Sequence, residues 1–444
     1  MNNNKIKTNE FFGLSTFQFL AYFRRLIVYT FLTIFLRNSL GLSNFEVTLM
    51  PTIGMLANAG TQSFVWGKLI DRLRNAKAFI VIGEFIAGLT HIGMVFIYQV
   101  FLVSDKRLAG YVIILTLGLT EIFWSMSNVG WSALISNLTV PAERKKIMAR
   151  LSVIGGLGGI FGAQVGGLLY DSGAGFESGV IIYIAALVMI ISSLLVLVLV
   201  HQHDYRPAKL SDGSSEPVMA KIKEKFSDLS SLTKKTYIWF MIALVLLNFG
   251  RNSIAVLTGI YLADGSSFGA SDESIALFSN VSSIATIIIG VMIGTIIAKV
   301  DDNKVLLIGA LTALLSIIWL ILAPTFDQAL ISGFLIGASN VIIESSSYAI
   351  TSKIIPEEFR GRLFGIYNAT FFLSWGIAAT LITGPTADYM ITLGLTNANA
   401  YKVSFFVACL IVSLGIIVLL FSFKLVNEEL AQSAEGSIQS ISQL

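Results

Sequence analysis

The chain has 444 residues, of which 55% are hydrophobic and only 13% are charged, about half the charged fraction of an average soluble domain. With a mean hydropathy of +0.78, this composition excludes an ordinary soluble protein and indicates a lipid environment. The net charge of +3 comes from basic residues spread over short loops, so we expect no nucleic-acid partner.

Along the chain, the polar start MNNNKIKTNE leads into an apolar segment without a cleavage-site pattern, so we expect no signal peptide. Twelve apolar segments follow, each of about 20 residues or more, the length that a helix needs to cross a bilayer. Helices are favoured because a helix satisfies its own backbone hydrogen bonds in hydrocarbon. The predicted spans are 12–36, 46–69, 77–103, 109–136, 147–170, 178–200, 236–263, 273–298, 304–324, 328–352, 362–387 and 400–424.

A polar stretch, 201–235, interrupts this series after the sixth span. It predicts an N-terminal six-helix bundle over 1–200, a linker over 201–235, a C-terminal six-helix bundle over 236–426 and a tail over 427–444. Lys and Arg concentrate on one side of the predicted membrane, which places both termini, the linker and the tail in the cytoplasm. Only four of the 30 basic residues fall in loops on the opposite side, namely Arg37, Lys106, Arg107 and Lys402.

The two halves of the sequence resemble each other. YFRRLIVYTFLTIFL in the first span aligns with NFGRNSIAVLTGIYL in the seventh and places Arg25 on Arg251. GKLIDRLRNAK after the second span likewise matches GTIIAKVDDNK after the eighth. Duplicated six-helix halves are a recurring transporter plan, in which the substrate binds at the midplane between the halves.

The loop after the second span carries Gly67, Asp71, Arg72 and Lys77. With the twelve spans, this motif resembles the major facilitator superfamily over essentially the whole chain, although Arg74 stands where that family usually has glycine. The resemblance implies an all-α membrane fold of two pseudo-symmetric six-helix bundles. It also implies that Asp71 steadies the outward-facing state through contacts near the eleventh helix, with Arg360 and Arg362 as the expected partners. The simpler interpretation is that the basic residues of this loop only set the topology.

The fifth span contains GGLGGIFGAQVGGLLYD. Small residues allow helices to approach closely in a membrane. The segment also resembles a glycine-rich motif of superfamily antiporters, but Ala163 replaces the usual proline, so we favour general helix packing.

Three arginines, Arg24, Arg25 and Arg251, lie well inside predicted spans, because the apolar run on either side of each is too short to cross a bilayer alone. A central arginine costs about 2.5–3.5 kcal/mol on insertion. Such residues therefore face a water-filled cavity or a charged partner and mark functional sites by default.

Two interpretations of these arginines stay open. In the first, Arg25 and Arg251 face each other across a central cavity and hold a phosphate or carboxylate through bidentate hydrogen bonds. This arrangement resembles the organophosphate/phosphate antiporters and related anion carriers, with Arg24 as a substitute for Arg25. The fourth-helix histidine of those carriers has no counterpart here, and Asn137 lies near its place. In the second, the arginines are neutralised by the intramembrane acids, which are Glu84, Glu121 and Glu344.

Further candidates follow from position. Tyr29, Asn248 and Asn252 lie within a helical turn of the arginines, so we expect them to contact substrate. Glu344 and Glu121 lie on spans that line the cavity in this superfamily, and they are the candidates for proton coupling. Other polar residues inside the spans, Asn340 among them, either bridge helices or contact substrate.

We therefore expect a secondary active transporter in the cell membrane that moves a small organic anion by alternating access, coupled to protons or a counter-anion. The alternatives are a proton-coupled exporter of drug-like amphiphiles and a transporter-fold receptor that moves nothing. The exporter is less favoured because Gly118 stands near the place of the fourth-helix arginine of drug/proton antiporters. A primary pump is not expected, because the sequence has no nucleotide-binding loop. An enzyme is not expected either, because it has neither a metal-ligand spacing nor a serine elbow. One cysteine and three histidines predict no metal or other cofactor. The expected partners are a small-molecule substrate, a proton or counter-ion and the lipid bilayer, with the protein as a monomer.

Overall fold

A computed structural model describes residues 8–138, 141–201, 231–295, 300–355 and 360–441, and within these ranges the chain is almost entirely helical. Twelve long helices, numbered α1 to α12, account for most of it. In the first half they are Thr8–Ile34, Asn44–Thr61, Ala76–Ser104, Lys106–Leu138, Pro141–Tyr170 and Val180–Leu199. In the second half they are Ser231–Ser253, Asp272–Thr295, Asp302–Leu322, Phe326–Ile354, Arg360–Leu381 and Asn397–Ile441.

Short segments extend several of these helices. A π-helical turn, Phe35–Ser39, continues α1, and Gln62–Trp66 joins α2 to the helix Gly67–Leu73. Ala255–Ala263 continues α7 and Thr383–Thr392 continues α11, each after a break in the helix. The predicted spans thus lie on these twelve helices with ends that differ by a few residues, because hydropathy marks the lipid boundary and a helix extends beyond it.

Eleven of the described helices are long and apolar enough to cross a membrane, and α2 is the exception. Its residues include Asn44, Glu46 and Asn58, all buried. Because α2 packs against α4 and α11, its polar side chains face protein and not lipid. This internal position explains why a membrane helix is less apolar than its neighbours.

The two halves are built on the same packing plan. In the first half the main contacts are α1 with α5 and α6, α3 with α4 and α6, and α2 with α4. In the second half each of these pairs recurs six helices later: α7 with α11 and α12, α9 with α10 and α12, and α8 with α10. The halves meet mainly where α5 contacts α8 and α2 contacts α11. These are also equivalent pairs, as a pseudo-two-fold axis requires.

The glycines of the fifth span bring α5 into backbone contact with α1. A Cβ on Gly158 would lie 2.1 Å from the Phe19 carbonyl oxygen, and a Cβ on Gly162 would lie 2.2 Å from that of Phe23. On another face, a Cβ on Gly156 would meet Ile287 of α8 at 2.7 Å. The glycine-rich segment therefore serves helix packing within the first half and between the halves.

Polar contacts tie the halves together at the end of the bundle that is predicted to face outward. The Asp388 carboxylate, beyond the break in α11, accepts hydrogen bonds from the Asn44 and Phe45 N–H groups at 2.9 and 2.8 Å. It also accepts one from the Asn44 side-chain amide at 2.9 Å. The Thr380 hydroxyl donates to the Thr48 carbonyl at 2.8 Å.

A second contact at this end joins α5 to α8. The Ser172 N–H donates to the Asp272 carboxylate at 3.0 Å, and the Asn280 amide donates to Gln164 at 3.3 Å. No hydrogen bond between the halves is found at the opposite, linker-side end among the residues described. The polar contacts found between the halves thus lie at the end that is predicted to face outward.

The predicted loop motif is only partly described. Gly67 begins the short helix after α2, and Arg72 is exposed in its last turn. The side chains of Asp71, Arg360 and Arg362 and most of the predicted linker lie outside the described residues, as does the side chain of Asn137. Arg74 ends the short helix with φ 54° and ψ 27°. This left-handed conformation favours glycine, which explains physically why the superfamily usually has glycine there.

Candidate functional site

Arg24 of α1 forms a buried ion pair with Glu84 of α3. Its Nη2 lies 3.0 Å from Glu84 Oε1, and the two side chains are 4% and 0% exposed. Ser127 of α4 donates to the same oxygen at 3.0 Å, and the guanidinium carbon lies 4.6 Å from the centre of the Trp124 ring. The charge of Arg24 is therefore matched inside the first half, which is the neutralisation interpretation for this residue.

Gly83 permits this pair to form. A Cβ at Gly83 would lie 2.7 Å from the Ser127 nitrogen and 2.8 Å from the Phe123 carbonyl oxygen. Only glycine allows α3 and α4 to approach so closely. The approach brings Glu84 within reach of Ser127, which donates to the same carboxylate oxygen as Arg24.

Arg25, the neighbouring residue, is placed differently. It is partly buried, and its guanidinium carbon lies 5.5 Å from the Trp124 ring centre. No carboxylate lies within ion-pair distance of it among the described residues, although it interacts electrostatically with Glu121. A single indole thus supports both arginines of α1 through cation–π contacts.

Glu121 of α4 is buried and joins three helices through neutral donors. The Tyr29 hydroxyl donates to its Oε1 at 3.2 Å, and the Asn58 amide donates to its Oε2 at 2.8 Å. Arg24, Arg25, Tyr29 and Glu121 thus form one polar cluster in the first half.

Arg251 of α7 is the buried cation of the second half and is 8% exposed. Its Nε donates to Asn248 Oδ1 at 2.9 Å, and its Nη1 donates to Asn340 Oδ1 of α10. The Phe371 ring centre lies 5.9 Å from the guanidinium carbon. These partners are neutral, so they fix the orientation of the guanidinium without cancelling its charge. One Nη1 hydrogen and both Nη2 hydrogens have no partner among the described residues.

Two asparagines that lie a helical turn apart on α7 tie this helix to α11 beside Arg251. Asn248 donates to the Thr370 hydroxyl of α11 at 3.4 Å, and Asn252 donates to the Ser374 hydroxyl at 2.8 Å. Just beyond, α7 breaks at Ile254 and leaves the Ser253 carbonyl to accept a hydrogen bond from Thr383. Thr383 itself follows the break in α11.

A cavity of about 220 Å³ lies between α1 and the second half. Arg251, Asn252 and Asn340 line one side of it, and Tyr29 lines the other. It is bounded by residues of five helices, α1, α7, α8, α10 and α11, and of the segment that continues α7. The cavity therefore lies at the boundary of the two halves, where the repeat predicts the substrate.

Glu344 of α10 is exposed and lies one helical turn beyond Asn340. It interacts electrostatically with Arg251 and Tyr367, but no described side chain forms an ion pair with its carboxylate. Of the three pairs that full neutralisation would require, only the Arg24–Glu84 pair forms in the described structure.

The predicted site residues therefore separate into three positions. Tyr29, Arg251 and Asn252 line the cavity. Asn248 does not line the cavity but accepts a hydrogen bond from Arg251. Glu121 does not line it either and is connected to it by the hydrogen bond from Tyr29. Arg25 and Arg24 are not among the lining residues, so the cavity presents one arginine and not a facing pair.

Several residues of the site were not ranked from the sequence. Asn340, which bonds Arg251, was identified only as one polar residue among many. The sequence signal for it is the four-residue spacing from Glu344, which places Asn340 and Glu344 on the same face of α10. Trp124 carries no sequence signal beyond being aromatic. Thr30 and Thr33 also line the cavity, and they are marked only by their place on the same face of α1 as Tyr29.

Comparison with known proteins gives a family and a fold. The model of the Major Facilitator Superfamily matches residues 14–379 and 265–440. Comparison with the curated proteins gives no match. A mutant of the nucleoside transporter NupG superposes with a TM-score of 0.74 at 14% identity, over 93% of this chain and 99% of that one.

Two other transporters of known structure are similar. A bacterial homolog of the human lysosomal transporter Spinster, inward-facing and unoccupied, gives a TM-score of 0.69 at 12% identity over 96% of this chain and 99% of its own. A mutant of the peptide transporter POT gives 0.69 at 14% identity over 94% and 95%. At such identities these likenesses establish the fold and not the cargo.

Proposed function

The chain belongs to the major facilitator superfamily, and from this premise we propose that it carries a small organic anion across the cell membrane by alternating access. It is a multi-pass membrane transporter and not an enzyme. The proposed cargo carries a carboxylate or phosphate group, and the proposed binding site is the cavity at Arg251. Both termini are proposed to be cytoplasmic, and the working unit is proposed to be the monomer.

The environment of Arg251 is the observation that supports an anionic cargo. A buried guanidinium is stable only with a partner for its charge. Arg24 has such a partner in Glu84, whereas Arg251 is held by two amide oxygens and faces a cavity. A bound anion would accept the remaining N–H groups and supply the missing charge.

Alternating access is supported by the way in which the halves meet. Their polar contacts lie at the predicted outer end, which supports the proposal that this conformation is a state open toward the cytoplasm. Rocking the halves about the cavity would exchange these contacts for contacts at the inner end. Arg25, on the α1 helix that forms one wall, is proposed to approach the cargo during this movement.

Glu344 and Glu121 are the proposed proton-coupling residues. Glu344 is accessible and lies near Arg251, so its ionised form competes electrostatically with an anion for the guanidinium. Protonation of Glu344 would therefore favour anion binding, which links the two events thermodynamically. Glu121 is connected to the cavity through the Tyr29 hydroxyl.

The test is thermal stabilisation of the purified protein by simple carboxylates and phosphate esters. We expect Tm to rise with such anions, and we expect Arg251→Ala to abolish the rise because the guanidinium provides the charge. Arg251→Lys keeps the charge without the fork of donors and should retain part of the effect. Arg150→Ala, at an exposed position on α5, is the control that should leave the effect unchanged.

Two results would contradict this proposal and favour a different function. Stabilisation by lipophilic cations alone would favour the proton-coupled exporter of amphiphiles. Stabilisation by anions without accumulation in proteoliposomes, with or without a pH gradient, would favour a receptor that binds and does not transport.

A further inference from the structure

We infer that the cargo is a small hydroxylated monocarboxylate, that is, an anion of single charge with hydroxyl groups along a short carbon chain. This inference rests on the proposed anion transport and specifies its substrate. The cavity at Arg251 provides three arguments: its charge, its hydroxyl groups and its size.

The charge argument begins with the number of cations in the cavity wall. Arg251 is the one basic side chain among the described residues that line it. Arg24 is paired with Glu84, and Arg25 contacts Trp124 outside the lining. A carboxylate carries one negative charge, whereas a phosphate monoester carries about 1.5 to 2 at neutral pH. In the conformation described, a second negative charge would have no cation in the cavity wall to match it, which is unfavourable.

The hydroxyl argument concerns two pairs of side chains beside the arginine. Thr30 and Thr33 of α1 and Ser279 and Ser282 of α8 all line the cavity. Within each pair, a spacing of three residues places both members on one helix face. None of the four hydroxyls forms a hydrogen bond with another described residue, and the Thr30 oxygen is buried as well.

These four hydroxyls differ from most serine and threonine side chains of this protein. In membrane helices such hydroxyls commonly donate to the carbonyl oxygen one turn earlier. Thr258, in the same cavity wall, does so with Ile254 at 2.8 Å. A buried hydroxyl without a partner is unfavourable, so the Thr30 hydroxyl is best explained as a group that a hydroxyl of the cargo satisfies. The other three hydroxyls line the same cavity and extend this surface.

The size argument concerns the room that the cavity offers. A volume of about 220 Å³ is several times the space that one water molecule needs, so the cavity accommodates a small organic anion. We take chains of about three to six carbons, with the carboxylate on Arg251, as the candidates.

The experiment compares three matched series in the thermal-shift assay on the full-length protein. Glycerate and gluconate represent hydroxylated monocarboxylates, propanoate and hexanoate represent the same chains without hydroxyls, and glycerol 3-phosphate and glucose 6-phosphate represent dianions. We expect at least one hydroxylated monocarboxylate to bind about tenfold more tightly than the alkanoate and the phosphate ester with the same number of carbons. Arg251→Ala should remove this binding.

Variants of the hydroxyl pairs test the same inference from the protein side. Thr30→Val and Ser282→Ala should each weaken binding of the best monocarboxylate by about three- to tenfold, the range expected for one lost hydrogen bond. Thr312→Val removes a hydroxyl of α9 that bonds its own helix at Ile308, and it should change nothing.

The outcomes separate this inference from the proposed function. Arg251-dependent binding that is strongest for the phosphate esters, or equal for alkanoates and hydroxylated acids, would overturn the inference and leave anion transport standing. No Arg251-dependent binding of any of these anions would overturn both.

Discussion

At the scale of single residues, identical side chains inside the membrane have different roles because their neighbours differ. Arg24 meets a carboxylate and becomes part of the first half's internal structure. Arg251 bonds two amide oxygens, contacts the Phe371 ring and faces the cavity, and no carboxylate of the described residues forms an ion pair with it. The chemistry of a buried arginine is thus decided by the residue that the neighbouring helix presents to it.

The Arg24–Glu84 pair gives a prediction about stability. Glu84→Gln leaves the buried guanidinium without a counter-charge, and we expect the free energy of unfolding to fall by about 3–5 kcal/mol. The decrease should be measured as a lower Tm in detergent.

A double variant provides the control for this pair. Arg24→Met combined with Glu84→Gln removes both charges and should recover most of the lost stability, since a missing pair is less harmful than half of one. Equal Tm values for the single and double variants would show that the pair carries no such coupling. Glu177→Gln, at an exposed position, should leave Tm unchanged.

At the scale of elements, close helix contacts and helix breaks position the site. Gly158 and Gly162 hold α5 against α1, the helix that carries Arg25 and Tyr29. In the second half, the breaks in α7 and α11 meet where Thr383 donates to the Ser253 carbonyl. Satisfying a freed carbonyl in this way makes a broken helix tolerable within a membrane.

The α1–α5 contact predicts an unequal response of two glycines to the same substitution. A Cβ on Gly162 would lie 2.2 Å from a backbone oxygen of α1, so Gly162→Ala must push the helices apart. We expect it to lower stability by about 1–3 kcal/mol, measured by thermal unfolding in detergent. Gly93→Ala on α3 meets nothing within 4 Å and should be neutral or slightly stabilising. Similar Tm values for the two variants would contradict the close contact.

At the scale of the whole molecule, polar contacts join the two halves at the end that is predicted to face outward. The N-terminal end of α2, in the first half, surrounds the Asp388 carboxylate of the second half with three N–H donors. A carboxylate is well placed at a helix N-terminus because the exposed N–H groups and the helix dipole both favour negative charge. We therefore expect Asp388 to act as a latch between the halves at the end that is predicted to face outward.

Removing this latch should shift the conformational equilibrium. Asp388→Ala loses the hydrogen bonds to Asn44 and Phe45, and we expect the outward-open population to rise at least tenfold, since bonds to a charged group contribute about 1.5–3 kcal/mol each. The measurement is the distance distribution between spin labels at Asn38 and Asn399, at the outer ends of the two halves, in a background without Cys409. Asp327→Ala, an exposed acid at the same end, is the control. An unchanged distribution in Asp388→Ala would exclude the latch.

Much of the fold follows from the sequence. The number and positions of the membrane helices were predictable because lipid requires each span to satisfy its own backbone, and this requirement acts within a single segment. The intramembrane position of Arg251 followed in the same way, from the lengths of apolar sequence on its two sides. The repeat between the halves also indicated that equivalent helices would pack equivalently.

The candidate site depended on the tertiary structure. The sequence offered three arginines and three glutamates without deciding which of them meet, and only the packing of the helices shows that Glu84 is the partner of Arg24. Only the structure shows that Asn340 of α10 bonds Arg251 and that Arg25 does not line the cavity. Pairing of side chains across helices depends on how each helix is rotated and how near its neighbours lie. Hydropathy along one chain carries no record of either quantity, because it reports only the contact of each segment with lipid.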